Sequence, residues 1–148
     1  MLKLFRDYMK IYDAENQILG RICTFIAKDL LKGEDVVVVN TEKAVLSGNP
    51  RWKKEHYQVK IKRGDPKKGP FFPKYPDDIF RRTVRGMLPW HQAKGRKAFK
   101  KLKVFIGIPE EHKNKQAEKI QVADASKLKT TYITLGDLST SIGAKKRW

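Results

Sequence analysis

The side chains in this sequence best suited to chemistry are cations. The 148 residues carry 33 lysines and arginines against 16 acids, a formal charge of +17 and a pI of about 10.0. The excess is lopsided. Residues 1–50 hold 7 basic and 7 acidic side chains, residues 51–103 hold 18 and 4, and residues 104–148 hold 8 and 5. Solubility is served by mixed signs, so a one-signed middle block points to a polyanionic partner. The candidate contacts are Arg51, Lys53, Lys54, Lys62, Arg63, Lys67, Lys68, Lys74, Arg81, Arg82, Arg85, Lys94, Arg96, Lys97, Lys100 and Lys101. RNA asks for cations at phosphate spacing, planar groups for stacking and chain that can follow an irregular surface. Phe71, Phe72, Trp90 and His91 lie among the cations and could stack on bases. For Phe71, Phe72 and the nearby Tyr75 the competing reading is a small apolar cluster under their loop. For Trp90 and His91 it is local packing.

Other chemistries find little support. His56, His91 and His112 have no partner at metal-ligand spacing. No phosphate-cradling Gly-x-x-x-x-Gly-Lys-Ser/Thr loop, dinucleotide Gly-x-Gly-x-x-Gly or Gly-x-Ser-x-Gly elbow is present. The stretch Asp13–Gly20 has one glycine where an anion cradle needs several. Asp13 and Glu42 read as capping or pairing residues. Neither a metal, a cofactor nor a small-molecule substrate is expected. The longest purely apolar run, Val36–Val39, is far too short to span a membrane, and Met1–Arg6 holds no apolar stretch of signal-peptide length. With one cysteine, Cys23, no internal disulfide can form, which fits a reducing compartment.

The elements that must position these residues read as an α/β chain of one domain. Residues 8–12 suggest a strand ending at Asp13. Asn16-Gln17 offers a helix start, and Leu19, Ile22, Cys23, Ile26 and Leu30 mark one helical face, with Gly33 as its cap. Cys23 sits on that stripe as a core residue. The unbroken β-branched run Val36–Val39 suggests a strand covered on both faces, as in parallel sheets. Strand, helix and strand make a right-handed βαβ unit. Ser47–Pro50 reads as a turn. Residues 51–63 could begin as a helix from Trp52 and end in an alternating strand over Tyr57–Lys62. Residues 64–76 are loop, punctuated by Gly64, Pro66, Gly69, Pro70, Pro73 and Pro76. Asp77 can cap a helix over Asp78–Leu88, which packs by Ile79, Phe80, Thr83, Val84, Met87 and Leu88 and turns Arg81, Arg82 and Arg85 the other way. A short helix over Gly95–Leu102 and a strand over Val104–Ile108 follow. Residues 109–129 should extend over the surface. Thr134–Asp137 resembles a capping box before a last short helix, and Lys145–Trp148 form a short basic tail.

Several of these segments together resemble a known family, the universal large-subunit ribosomal proteins called L-thirteen. Ile11–Ala14 and Ile18–Arg21 resemble its first strand and helix start. Val36–Asn40, Glu42–Val45 and Ser47–Asn49 resemble its second strand and turn. Arg85-Gly86-Met87-Leu88-Pro89 is the most specific piece, followed by Gly95-Arg96 and Leu102–Gly107. The loop Gly69–Pro73 and the stretch Ile79–Gly86 look like the archaeal and eukaryotic branch, and the short ending Gly143–Trp148 looks archaeal. Residues 109–127 are the least typical part.

The resemblance implies a three-layer α/β/α domain around a parallel sheet of about four strands. It also implies binding to large-subunit ribosomal RNA beside neighbouring ribosomal proteins, a part in subunit assembly, a cytoplasmic place in the ribosome, and no catalysis. Two other classes compete. A small RNA- or nucleotide-processing enzyme would need a titratable pocket at the strand ends near Asp13, Asn40 and Ile108. A binder of anionic membrane surfaces would be removed from ribosomal particles by a salt wash.

Overall fold

The computed structural model describes residues 9–148. The readings made on Met1–Arg6 and on Tyr8 lie outside them. Strand β1 (Met9–Asp13) and strand β2 (Asp35–Val39) run parallel, joined by helix α1 (Leu19–Lys32). Strand β4 (Leu102–Val104) pairs with the other side of β2, also parallel, giving the order β1-β2-β4. Between them in sequence come β3 (Val45–Ser47), α2 (Pro50–Lys62), α3 (Pro76–Met87) and α4 (Ala93–Lys100). Strand β5 (Tyr132–Thr134) and helix α5 (Leu135–Ser141) end the described elements. Strands β3 and β5 form a separate antiparallel pair.

The valine run of β2 behaves as an unbroken β-branched stretch should. Val36 and Val38 face the main core with Ile22, Ile26, Phe80 and Leu102, while Val37 and Val39 face a second cluster with Ile11 and Phe105. All four valines are at most 1 % exposed. Each contributes about 2 kcal/mol by leaving water. The expected α/β/α layering is present. Its thick outer layer is α1, α3 and α4, and its thin one is the chain after β4, where Phe105 and Ala117 cover the second cluster and a short 3-10 turn at Glu110–His112 brings His112 beside Phe105. Among the described residues the sheet has three strands. The fourth position is marked by Glu118 alone, whose backbone exchanges hydrogen bonds with Ile11 and Asp13.

Helix α1 ends as its sequence indicates. Gly33 takes a left-handed φ of 97°, and its N–H closes on Leu30. Cys23 lies inside this helix with no exposed surface, and burial pushes its thiol pKa well up. The start differs from expectation. Asn16 sits at φ 57° in the left-handed region, and the helix begins at Leu19. Asp29 is buried on the same helix. It accepts hydrogen bonds from Tyr12 (2.5 Å), Lys10 (3.1 Å) and Lys32 (3.3 Å). Burial pushes the Asp29 carboxyl up, but those three donors prevail and hold it below its ordinary range.

Residues 51–63 correct the mixed reading, because the whole segment through Lys62 is helix. The side chain of Asn49 accepts from the Arg51 N–H, and Pro50 occupies the first helical position. The apparent alternation dissolves on the helix surface. Tyr57 and Ile61, four apart, pack against the core, while Val59 is 48 % exposed. Helix α3 starts earlier than read, at Pro76, and Tyr75 rather than Asp77 is its N-cap, without a side-chain bond. Asp77 and Asp78 occupy the first turn, where negative charge suits the helix dipole.

Helix α4 is also shifted, to Ala93–Lys100, with Gly95 inside it. A Cβ on Gly95 would stand 2.2 Å from the Pro89 carbonyl oxygen, so only glycine lets the turn lie this close. The strand read over Val104–Ile108 is instead Leu102–Val104. One more ladder bond, from the Phe105 N–H to Val38, follows before Gly107 (φ 68°) turns the chain. Residues 109–129 are less superficial than expected, since His112, Ala123 and Ala125 are buried. Thr134 caps α5 as its motif suggests, accepting from the Asp137 N–H.

Candidate nucleic-acid interface

The cations of the middle block stand on α2, the loop after it, α3 and α4. Most remain without a counter-charge inside the fold. Among the described residues the ion pairs are made by Lys10, Lys32, Lys43, Lys119 and Arg51. Of the predicted contacts, then, only Arg51 meets a carboxylate, that of Glu55 at 3.1 Å, and that pair is so exposed that it contributes little. Lys10, Lys32 and Lys43 of the first third are ion-paired, while the middle block is almost wholly unpaired.

Six predicted residues converge on one groove. Phe71, Phe72, Arg81, Arg82, Arg85 and Trp90 line a hollow of about 360 Å³, joined there by Pro73, Asp78 and Phe99. Helix α3 was expected to hold its three arginines clear of the packing. Two of them are half-buried instead. The Arg81 guanidinium lies over Phe99 at 5.0 Å and that of Arg85 over Trp90 at 4.2 Å, while Trp90 and Phe99 meet edge to face at 5.2 Å. Arg82 is exposed. The stacks fix the planar groups without using their N–H donors.

The loop aromatics divide. Phe72 packs edge-on against Tyr57 with Lys60 beside it, and Tyr75 carries the Arg147 guanidinium at 3.9 Å. Phe72 packs on the main core and Tyr75 on a cation, so neither forms the separate small cluster of the competing reading. Phe71 is 66 % exposed. Trp90 is locally packed. His91 is exposed, and its carbonyl accepts from Arg96.

The remaining contacts spread away from the groove. Lys94, Lys97 and Lys101 rim a hollow of about 430 Å³ floored by Leu30, Leu31 and Ala98. Lys101 also donates to the Gly33 carbonyl at 2.6 Å, capping α1. Lys54 borders a third hollow with Lys146 and Trp148. Lys53 stands over Trp52. Lys62, Arg63, Lys67, Lys68, Lys74 and Lys100 are exposed.

Sequence reasoning missed four residues. Trp52 is 55 % exposed and stacks flat on His56 at 4.8 Å. Their i, i+4 spacing would have shown this had α2 been read as helix throughout. Lys60 was left out for the same reason. Phe99 and Asp78 were given no place at a site by the sequence. Burial, with Asp77 beside it, pushes the Asp78 carboxyl up against the opposing pull of Arg81 and Arg147.

The strand ends offer a different picture. The Asn40 side chain donates to Asp13, the Glu42 carboxylate accepts from the Gly107 N–H at 2.9 Å, and the Asn40 N–H bonds the Gly107 carbonyl. Asp13 and Glu42 are pairing residues, as expected. Among the described residues no group of three or more His, Cys, Asp or Glu is placed to hold a metal ion, and no helix is long and apolar enough to cross a membrane.

A parallel α/β sheet carrying basic helices, most of whose cations stay unpaired around stacked arginines, defines a class of basic α/β scaffold proteins. The particular family follows from comparison. The family model described as Ribosomal protein L13 matches residues 7–111. The large ribosomal subunit protein uL13 of Methanopyrus kandleri is 52 % identical over 136 residues, covering 90 % of this chain and 86 % of the relative. The protein of the same name from Archaeoglobus fulgidus is 46 % identical over 145 residues, covering 97 % and 93 %. That of Methanocaldococcus jannaschii is 47 % identical over 143 residues, covering 93 % and 99 %. The chain belongs to the ribosomal protein L13 family, in its archaeal form.

Proposed function

We propose that the chain, as a single domain over residues 1–148, is a structural constituent of the large ribosomal subunit. It binds ribosomal RNA, supports the assembly and folding of that RNA, and performs no catalysis. The contact surface is the basic region 51–103 with the short tail, and neighbouring ribosomal proteins share the site in the cytoplasmic particle. The relatives' names as large ribosomal subunit proteins support this reading. The observation that carries it is the charge: net +14 on residues 51–103, with Arg51 alone ion-paired among the predicted contacts. Phosphates are the natural counter-charge for cations the fold leaves uncompensated. The hydrogen-bonded closure of Asp13, Asn40 and Glu42 at the strand ends weighs against an enzyme there.

The test is binding of the purified chain to large-subunit ribosomal RNA over a salt series. Affinity should fall steeply, by about three orders of magnitude between 50 and 200 mM salt for six or more phosphate contacts. A flat salt dependence would count against it.

A further inference from the structure

The groove between the loop at Phe71, α3 and α4 contains one residue a phosphate site would not want. Asp78 lines it beside Arg81, Arg82 and Arg85. A carboxylate repels phosphate, and the pull of Arg81 and Arg147 on this one stops short of contact. Among the described residues Asp78 makes no ion pair, and it does not cap its own helix. Arg81, the closest in sequence, is turned onto Phe99. The groove therefore offers a double acceptor, guanidinium donors and aromatic surface together, with Phe71 exposed at its edge.

Resting on the RNA-binding reading above, we propose that this groove receives one unstacked guanine base of the bound RNA. The chemistry selects the base. A carboxylate only accepts, and its two oxygens match two donors side by side. Guanine alone presents that pair on its Watson–Crick edge, as N1–H and the 2-amino group. Adenine and cytosine set a ring acceptor beside their amino group, and uracil sets carbonyls on both sides of its N–H. Guanine's O6 and N7 are acceptors, the pattern to which arginine pairs most often. A base splayed from a single strand stacks on aromatic or guanidinium planes, which exposed Phe71 and the arginines lining the groove supply. A hollow of about 360 Å³ admits a purine ring.

The experiment uses the full chain and five-nucleotide RNAs of uridine with G, A, C, U or inosine at the centre, read by fluorescence anisotropy at fixed salt. The G oligomer should bind about tenfold tighter than the A, C and U oligomers. Inosine, which lacks the 2-amino group, should fall below G. Asp78→Asn should bring the G oligomer down to the level of the A, C and U oligomers. Equal affinity for all five oligomers, or binding of none while ribosomal RNA still binds, overturns the proposal and leaves the ribosomal reading standing. Asp78→Asn that folds and keeps the preference overturns it as well. The G-against-inosine comparison decides in the unaltered chain should that variant not fold. Failure to bind ribosomal RNA at all would sink the broader reading instead.

Discussion

The Arg85 guanidinium rests 4.2 Å from the centre of the Trp90 ring, so one contact both fixes an arginine and covers the turn after α3. Two neighbouring arginines should therefore respond differently to substitution. Arg82→Ala removes an exposed cation. It should leave stability within about 0.5 kcal/mol and reduce the salt slope of RNA binding by roughly one phosphate contact. Arg85→Lys keeps the charge but loses the flat stack. It should preserve that slope while lowering stability by about 1 kcal/mol and weakening affinity severalfold. Denaturant titration and binding at four salt concentrations separate the two.

Gly95→Ala should be far more damaging than its size suggests. The added methyl would meet the Pro89 carbonyl, which is backbone and cannot swing aside. A loss of roughly 2–3 kcal/mol is expected, seen as a lower urea midpoint with an unchanged slope. A variant as stable as the parent would show that the turn at Pro89 yields.

Asp29 gives the fold a defined acid sensitivity. Its carboxyl is held below the ordinary value in the folded state by Tyr12, Lys10 and Lys32. A lowered folded pKa means a stabilisation complete above the unfolded value of about 3.9 and lost as pH falls through the folded one. Asp29→Asn should cost roughly 2–3 kcal/mol at pH 7. The gap from the parent should be constant above about pH 5 and narrow below about pH 4. Chemical denaturation at a series of pH values measures that gap directly, and a gap that widened with acid would contradict the assignment.

Helix α2 has no fully buried residue, so its capping should matter more than usual. Asn49→Ala removes the acceptor of the Arg51 N–H, at 2.9 Å, and should cost about 1 kcal/mol. Amide exchange should speed up through the first turn of α2 and stay unchanged in β2. Unaltered protection at Arg51–Lys54 would argue that Pro50 alone holds the start.

Much of this was legible in the chain. The four valines of β2 required a strand covered on both sides, and Leu19 to Leu30 at helical spacing required the helix that covers one of them. Gly33 and Thr134 capped the helices their sequence neighbours suggested. Boundaries were missed where proline opened a helix rather than closing a loop, at Pro50 and Pro76, and where a glycine was buried within one, at Gly95. The two prolines are local first-turn signals that were read as turn and loop, whereas Gly95 depends on the close approach of the Pro89 backbone. For the groove, the arginines and Phe71 were visible as residue types. Their convergence with Asp78 and Phe99 was not, because it arises from packing α3 against α4 across sequence that local periodicity cannot relate.

The sealed position of Cys23 makes it a clock for the fold. A thiol reagent added to the intact protein can act only when α1 lifts from the core, since no surface of the sulfur is otherwise within reach. As the sole cysteine in the sequence, it yields one unambiguous signal. Its modification rate, followed with and without RNA, would report how firmly an occupied basic surface clamps a helix on which none of the predicted RNA contacts stands.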